Sequence, residues 1–212
     1  MTVKIANKHE LRTRETRALL LQAAETIFVR DGYEGAELGE IAALAGRTKG
    51  AIYAQFKSKE DIFLALIEER AHCYRARMER LLAESTSVVG NLEALRTFYL
   101  QLAGDQAWSL LLLEFKLFVI RHPESKKRLQ NLYSAMLSQS DEKRLADILG
   151  AARKGKYAIS RVVAVQSLQP MISSLVLEAQ MENNLSDKNV MKNIVSRIFD
   201  ALLEVPSVYA SS

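Results

Sequence analysis

The amino-acid sequence predicts an all-α protein, with a three-helix head, a larger helical body and about nine helices in total. Three observations carry that expectation. Helix breakers are scarce, with 3 prolines and 9 glycines in 212 residues, while Leu, Ala, Glu, Lys and Arg are abundant. Apolar residues return at helical spacing in segment after segment. Capping residues and glycine stops fall at the ends of those segments. A hydrophobic content of 49% excludes a disordered chain and is enough for a sizeable core.

Residues 1–10 read as a frayed basic arm. In the segment Leu11–Arg30, the residues Leu20, Ala24, Ile27 and Phe28 form an apolar stripe. Asp31-Gly32 should end it, because glycine takes positive φ without a Cβ clash, and Tyr33 can pack back on that corner. Leu38–Ala45 is the second helix, with Leu38, Ile41, Ala42 and Ala45 inward and its alanines allowing close approach of a crossing helix. Gly46 makes a tight turn. Thr48 is a good N-cap for a third helix, Lys49–Phe56, in which Ile52 and Phe56 (i, i+4) pack inward. That register turns Arg47, Lys49, Gly50, Tyr53 and Ala54 outward or toward the edge, so the pair reads as a helix-turn-helix.

Ser58 caps a long fourth helix, about 59–84, whose first turn carries Glu60 and Asp61 and whose middle is rich in charge. It should connect a head (residues 1–58) to a body (residues 59–212). The body shows five further helical patterns: Leu92–Ala103, Trp108–Ile120, Glu124–Arg153, Arg161–Met181 and Asp187–Leu203. Gly155 should stop the third of these, Ser160 should cap the fourth, and Pro170 should kink it.

The formal net charge of +4 is mild, but its distribution is uneven. Residues 1–20 hold Lys4, Lys8, Arg12, Arg14 and Arg17 against Glu10 and Glu15. From Ala42 to Lys59 there is no acid, while Arg47, Lys49, Lys57 and Lys59 are basic. A short helix with a cationic, acid-free start suits the DNA major groove. The single Cys73 excludes an intramolecular disulfide framework and suits a reducing cytoplasm. No apolar run reaches the roughly 18 residues of a membrane span. His72 and His122 lack metal-ligand spacing, and no nucleophile elbow, P-loop or dinucleotide fingerprint occurs, so neither metal, cofactor nor enzymatic activity is expected.

These residues resemble the TetR family of bacterial transcriptional repressors. The similar run is Leu20, Ala24, Ile27-Phe28 and Gly32-Tyr33, then Ile41-Ala42, Ala45-Gly46, Thr48-Lys49-Gly50, Ile52-Tyr53, Phe56 and Lys59-Glu60-Asp61-Ile62. Gly50-Ala51-Ile52-Tyr53 looks most like the multidrug-efflux repressor branch. The resemblance implies a homodimer that binds a palindromic double-stranded operator and releases it when a small, largely apolar effector enters the body. It places DNA contacts at Arg47, Thr48, Lys49, Gly50, Ala51, Tyr53, Gln55 and Lys59. Arg47 and Lys49 are the base-reading candidates, since either can bond guanine O6 and N7. Two positions depart from the family pattern. Glu37 stands where Ser or Thr is usual, and Gln55 stands where His or Tyr is usual. Both suggest an altered operator or a weaker grip on phosphate, and the alternatives left open are a helical adaptor with a degenerate head and, behind it, an all-α ligand-processing enzyme.

In the body, Phe98, Trp108, Leu111, Glu114, Phe115, Phe118, Tyr133 and Met171 are the candidate pocket residues, with Glu114 the polar partner for a ligand. The last two helices have broad apolar faces. Docked across a two-fold axis, they would form a four-helix interface from Leu168, Ile172, Leu175, Val176, Ala179, Ile194, Val195, Ile198, Phe199 and Leu202.

Overall fold

A computed structural model describes residues 8–123, 142–152, 154, 155 and 158–205. Among these residues there are ten helices: α1 Lys8–Gly35, α2 Leu38–Leu44, α3 Lys49–Gln55, α4 Lys59–Ala83, α5 Val88–Ala103, α6 Gln106–Arg121, α7 Glu142–Leu149, α8 Arg161–Glu178, α9 Asn183–Ser186 and α10 Lys188–Leu203. The all-α expectation holds.

Several boundaries differ from the sequence reading; α5, for one, begins at Val88 and not at Leu92. The α1 segment runs on to Gly35, but its helix is broken at Gly32, which takes φ 69° and ψ 177°. The glycine stop is therefore real, and a further turn follows it, closed by the Ala36 N–H donating to the Gly32 carbonyl at 3.2 Å. The helix expected to reach Arg153 ends at Leu149, because Gly150 takes φ 80° and turns the chain sooner than Gly155 would. The short α9 has no counterpart among the expected helices. Residues 1–7, 124–141 and the tail from Pro206 lie outside the described residues.

The chain divides into two compact units: Met1–Arg70 with Leu110–Pro123, and Ala71–Ser109 with Glu124–Ser212. The expected boundary after residue 58 thus falls inside the first unit. That unit takes in the opening turns of α4 and most of α6. It is built on the predicted stripe of α1, with Leu20, Ala24, Ile27 and Phe28 all buried, and on Ile41, Ile52 and Phe56. An aromatic cluster extends this core. Phe63 packs edge-on to Phe28 at 4.9 Å and to Phe118 at 5.9 Å, and Tyr33 meets Phe118 at 4.7 Å. Truncating one such buried ring to alanine typically costs about 3–5 kcal/mol.

In the second unit, α5 packs with α7, α8 and α10, and α8 packs with α10. Tyr99, Leu168, Ile172, Val195 and Phe199 fill the centre. Polar ties lock the helix ends. Arg161 is 6% exposed. Its guanidinium donates to Gly150 O at 2.8 Å, Ala151 O at 3.1 Å and Leu203 O at 2.7 Å. A cation there satisfies the end carbonyls of α7 and α10, where the helix dipoles favour positive charge. The Glu142 carboxylate accepts the Arg161 and Val162 N–H groups at the start of α8, at 2.9 and 3.0 Å, and these bonds hold it below the usual carboxylate range.

Candidate nucleic-acid interface

The corner between α2 and α3 closes by backbone bonding. Gly46 takes φ 64°, its N–H donates to Ala43 O at 3.0 Å, and the Arg47 N–H donates to Ala42 O at 2.9 Å. These bonds satisfy carbonyls at the end of α2 and let the chain reverse. Thr48 then caps α3, its hydroxyl accepting the Ala51 N–H at 3.3 Å. At the far end, Phe56 leaves helical geometry with φ −137°. A second reciprocal cap follows, in which the Asp61 carboxylate accepts the Lys57 N–H at 3.0 Å and Ser58 Oγ accepts the Asp61 N–H at 3.1 Å.

With Ile52 and Phe56 buried, α3 presents Thr48, Lys49, Gly50, Tyr53 and Ala54 to solvent. Tyr53 is 60% exposed, so it is no core residue. Arg47, Ala51 and Gln55 are half-buried at the edges, and the Arg47 guanidinium donates to Gly46 O at 3.2 Å. A seven-residue helix is about 10 Å long, and the major groove about 12 Å wide admits it end-on or lengthwise. No carboxylate lies on α3.

Two features of this surface are not visible in the sequence. The Lys49 side chain lies along Gly39 in the first turn of α2, where a Cβ would come within 2.7 Å of its Cε. The Arg17 guanidinium sits 4.5 Å over the Phe56 ring, bringing a third cation from α1 to the end of α3. Nothing in local spacing couples residues so far apart in the chain.

Lys59 occupies a different place from the one expected of a phosphate contact. It is half-buried, and its ammonium donates to Glu34 O at 2.9 Å and Ala36 O at 3.3 Å while lying 4.9 Å over the Tyr33 ring. Its charge is engaged in holding the α1–α2 corner. Burial of the Tyr33 ring, with Glu60 and Glu34 nearby, pushes its phenol up to about 12. Glu37 is exposed at the start of α2 and makes no side-chain cap.

Residues 20–66 match the family described as bacterial regulatory proteins, tetR family. The N-terminal domain belongs to the TetR family. Among curated relatives, the HTH-type transcriptional regulator TtgR of Pseudomonas putida is 37% identical over 93 residues, 43% of this chain and 42% of that protein. The HTH-type transcriptional repressor BepR of Brucella suis biovar 1 is 49% identical over 53 residues, 25% of each chain. The matched segments therefore span less than half of these relatives. Over the full fold, SmeT, the repressor of the Stenotrophomonas maltophilia multidrug efflux pump SmeDEF, superposes with a TM-score of 0.59 at 23% identity. That match covers 90% of this chain and 91% of that one. Salmonella enterica GusR gives a TM-score of 0.67 at 19% identity, covering 89% and 95%. Identities this low show a shared fold.

The expected pocket residues are divided between the two units. Leu111, Glu114, Phe115 and Phe118 belong to the first unit. There Glu114 accepts the Tyr33 N–H at 3.1 Å, and its Oε1 lies 3.0 Å from where a Cβ on Gly32 would stand. It braces a backbone corner. Phe98 and Trp108 pack in the second unit against Tyr74, with ring centroids 6.1 and 5.4 Å away. Met171 is exposed on α8, and Tyr133 lies outside the described residues. A cavity of about 800 Å³ in the second unit is lined by other residues, from α5, α8, α9 and α10.

The expected interface residues separate into two sets. Leu168, Ile172, Val176, Val195 and Phe199 are buried within the chain itself, because α8 and α10 pack on each other and on α5. Leu175, Ala179, Ile194, Ile198 and Leu202 are half-exposed and remain available. Among the described residues no helix is long and apolar enough to cross a membrane, and no cluster of three metal-ligating side chains occurs.

Proposed function

We infer that this protein is a dimeric, sequence-specific DNA-binding repressor of the cytoplasm. One α3 enters each of two major grooves about 34 Å apart, or a multiple of that spacing. The operator is released when a small molecule binds the C-terminal body. The observation that carries this reading is the outward face of α3: Thr48, Lys49, Gly50 and Tyr53 exposed side by side, with no carboxylate on the helix. The names of TtgR and BepR, a regulator and a repressor, support the same reading. Half-exposed Leu175, Ile194, Ile198 and Leu202 support a two-fold contact through α8 and α10. An effector acts only if it binds the DNA-incompetent state more tightly.

The test is footprinting on the DNA upstream of the protein's own gene. A protected palindrome at moderate salt is expected, and binding without sequence preference would sink the reading. Lys49→Ala should relax base preference at one position of each half-site, by about 1–3 kcal/mol. Arg47→Ala should do so less, since that guanidinium also bonds Gly46 O.

A second reading, an adaptor with a degenerate head, is favoured by exposed Glu37 beside the DNA-facing surface and by the engaged Lys59 ammonium. Specific footprinting by the unmodified protein eliminates it.

A further inference from the structure

The cavity of about 800 Å³ in the second unit has a composition that points to a particular kind of occupant. Its floor is apolar, made by Leu100 of α5, Val176 and Ala179 at the end of α8, Leu185 of α9 and Met191 of α10. Lys188 and Lys192 stand on its rim, four residues apart on α10, and neither is buried. Among the described residues no carboxylate lines it. Neither lysine has an ion pair or side-chain hydrogen bond with the described residues.

Acids that are close in sequence do not neutralise this rim. Asp187 accepts the Asn189 and Val190 N–H groups at 2.7 and 3.0 Å, which holds its carboxylate to the cap of α10. Asp105 accepts the Tyr74 hydroxyl and, at 2.8 Å, the Trp108 N–H. Glu178 and Glu182 lie outside the lining. Two like charges at i, i+4 repel one another, and an anion between them removes that repulsion. The volume lies in the range of small-molecule sites.

We propose that this cavity binds a small organic anion with an apolar body, its acid group held between Lys188 and Lys192 and its apolar part over Leu100, Val176, Ala179 and Met191. Gln101, Gln106 and Asn183 also line the cavity and can donate to the acid oxygens. A second copy of the chain is the poorer occupant. A two-fold contact centred here would set Lys188 and Lys192 against their own copies. Among the described residues the site shares none of the pocket residues expected from the sequence, and its occupancy does not depend on how the head meets DNA.

Calorimetric titration of the full chain with decanoate, decanol and decyltrimethylammonium tests the proposal. Decanoate should bind about fivefold more tightly than decanol, and the cation more weakly than either. The double variant K188Q/K192Q should bring decanoate to the affinity of decanol and leave decanol itself unchanged. L185Q, on the short α9, should weaken decanoate and decanol alike by about threefold. K143Q, outside the lining, should change neither. Equal binding of the three ligands, or decanoate binding indifferent to both lysines, overturns the proposal. Sedimentation of the same samples reports the remaining occupant: decanoate binding confined to the monomer means that a second copy covers the cavity, and it overturns the proposal too. Operator binding enters none of these readouts, so a failed footprint leaves them standing.

Discussion

The α2–α3 corner and the helix ends tied by Arg161 in the second unit solve the same problem, how to finish helices without stranding polar backbone, by opposite means. In the corner the partners are neighbours: Thr48 caps through Ala51, Ser58 through Asp61, and Gly46 reverses the chain onto Ala42 and Ala43. In the body one side chain serves helix ends scattered along the sequence, Arg161 reaching 10, 11 and 42 residues to its carbonyls. A corner built from local bonds can keep its geometry while its outward residues change. A body tied through one buried guanidinium stakes several helix ends on a single position.

Arg161→Met is the most direct way to break that contrast. It retains an unbranched apolar stem but leaves the carbonyls of Gly150, Ala151 and Leu203 without their donor. Unsatisfied buried acceptors cost about 1–3 kcal/mol each, and partial rehydration brings the expected total to about 3 kcal/mol. Urea unfolding followed by circular dichroism measures it. A loss under about 1 kcal/mol would mean that water replaces the guanidinium freely and that the tie is ornamental.

Gly32→Ala comes next, at about 2 kcal/mol. The residue would have to hold φ 69°, and its Cβ would press on Glu114 Oε1 at 3.0 Å. Pairing it with Glu114→Ala separates the two causes, since only the steric part is relieved in the double variant. A full rescue would assign the cost to Glu114; no rescue would assign it to the backbone.

This difference between regions also explains what the sequence discloses. The head is legible because its signals are local: a stripe at Leu20, Ala24, Ile27 and Phe28, a cap at Thr48, a stop at Gly32. The exposed set on α3 follows from Ile52 and Phe56 alone, since burying i and i+4 dictates which positions face out. Lys59 escapes such a reading because an ammonium at a helix start looks alike whether it meets phosphate or two carbonyls of a distant loop. The placement of Glu114 and Phe118 in the first unit is not legible either, because an apolar helix with one acid carries no mark of which unit it joins. The half of the expected interface that proves to be core, including Leu168 and Phe199, shows the same ambiguity: an apolar face does not say whether its partner is in the same chain.

Lys59→Met tests the local side of the contrast with a smaller effect. Losing two charge-assisted bonds to Glu34 and Ala36 should destabilise the first unit by about 1–2 kcal/mol. If Lys59 acts only by holding the corner, operator affinity should fall while the slope of log K against log salt stays as in the parent protein. A phosphate contact would instead flatten that slope by roughly one unit. The presence or absence of that flattening decides between the two roles.

The smallest expected effect is a pH dependence carried by Glu142. The N–H groups of Arg161 and Val162 depress its folded-state pKa relative to the unfolded chain. A depressed carboxylate contributes stability that is present above its unfolded value and is lost as pH falls through the folded one. Glu142→Gln keeps one acceptor and removes the charge, so the variant should melt below the parent at neutral pH, by a few degrees or less for an exposed group. As pH drops below about 4.5, the gap should narrow and then close, because the parent's carboxylate becomes protonated too. A gap that persists unchanged into acid would mean that the shape of the side chain, and not its charge, holds α7 to the start of α8.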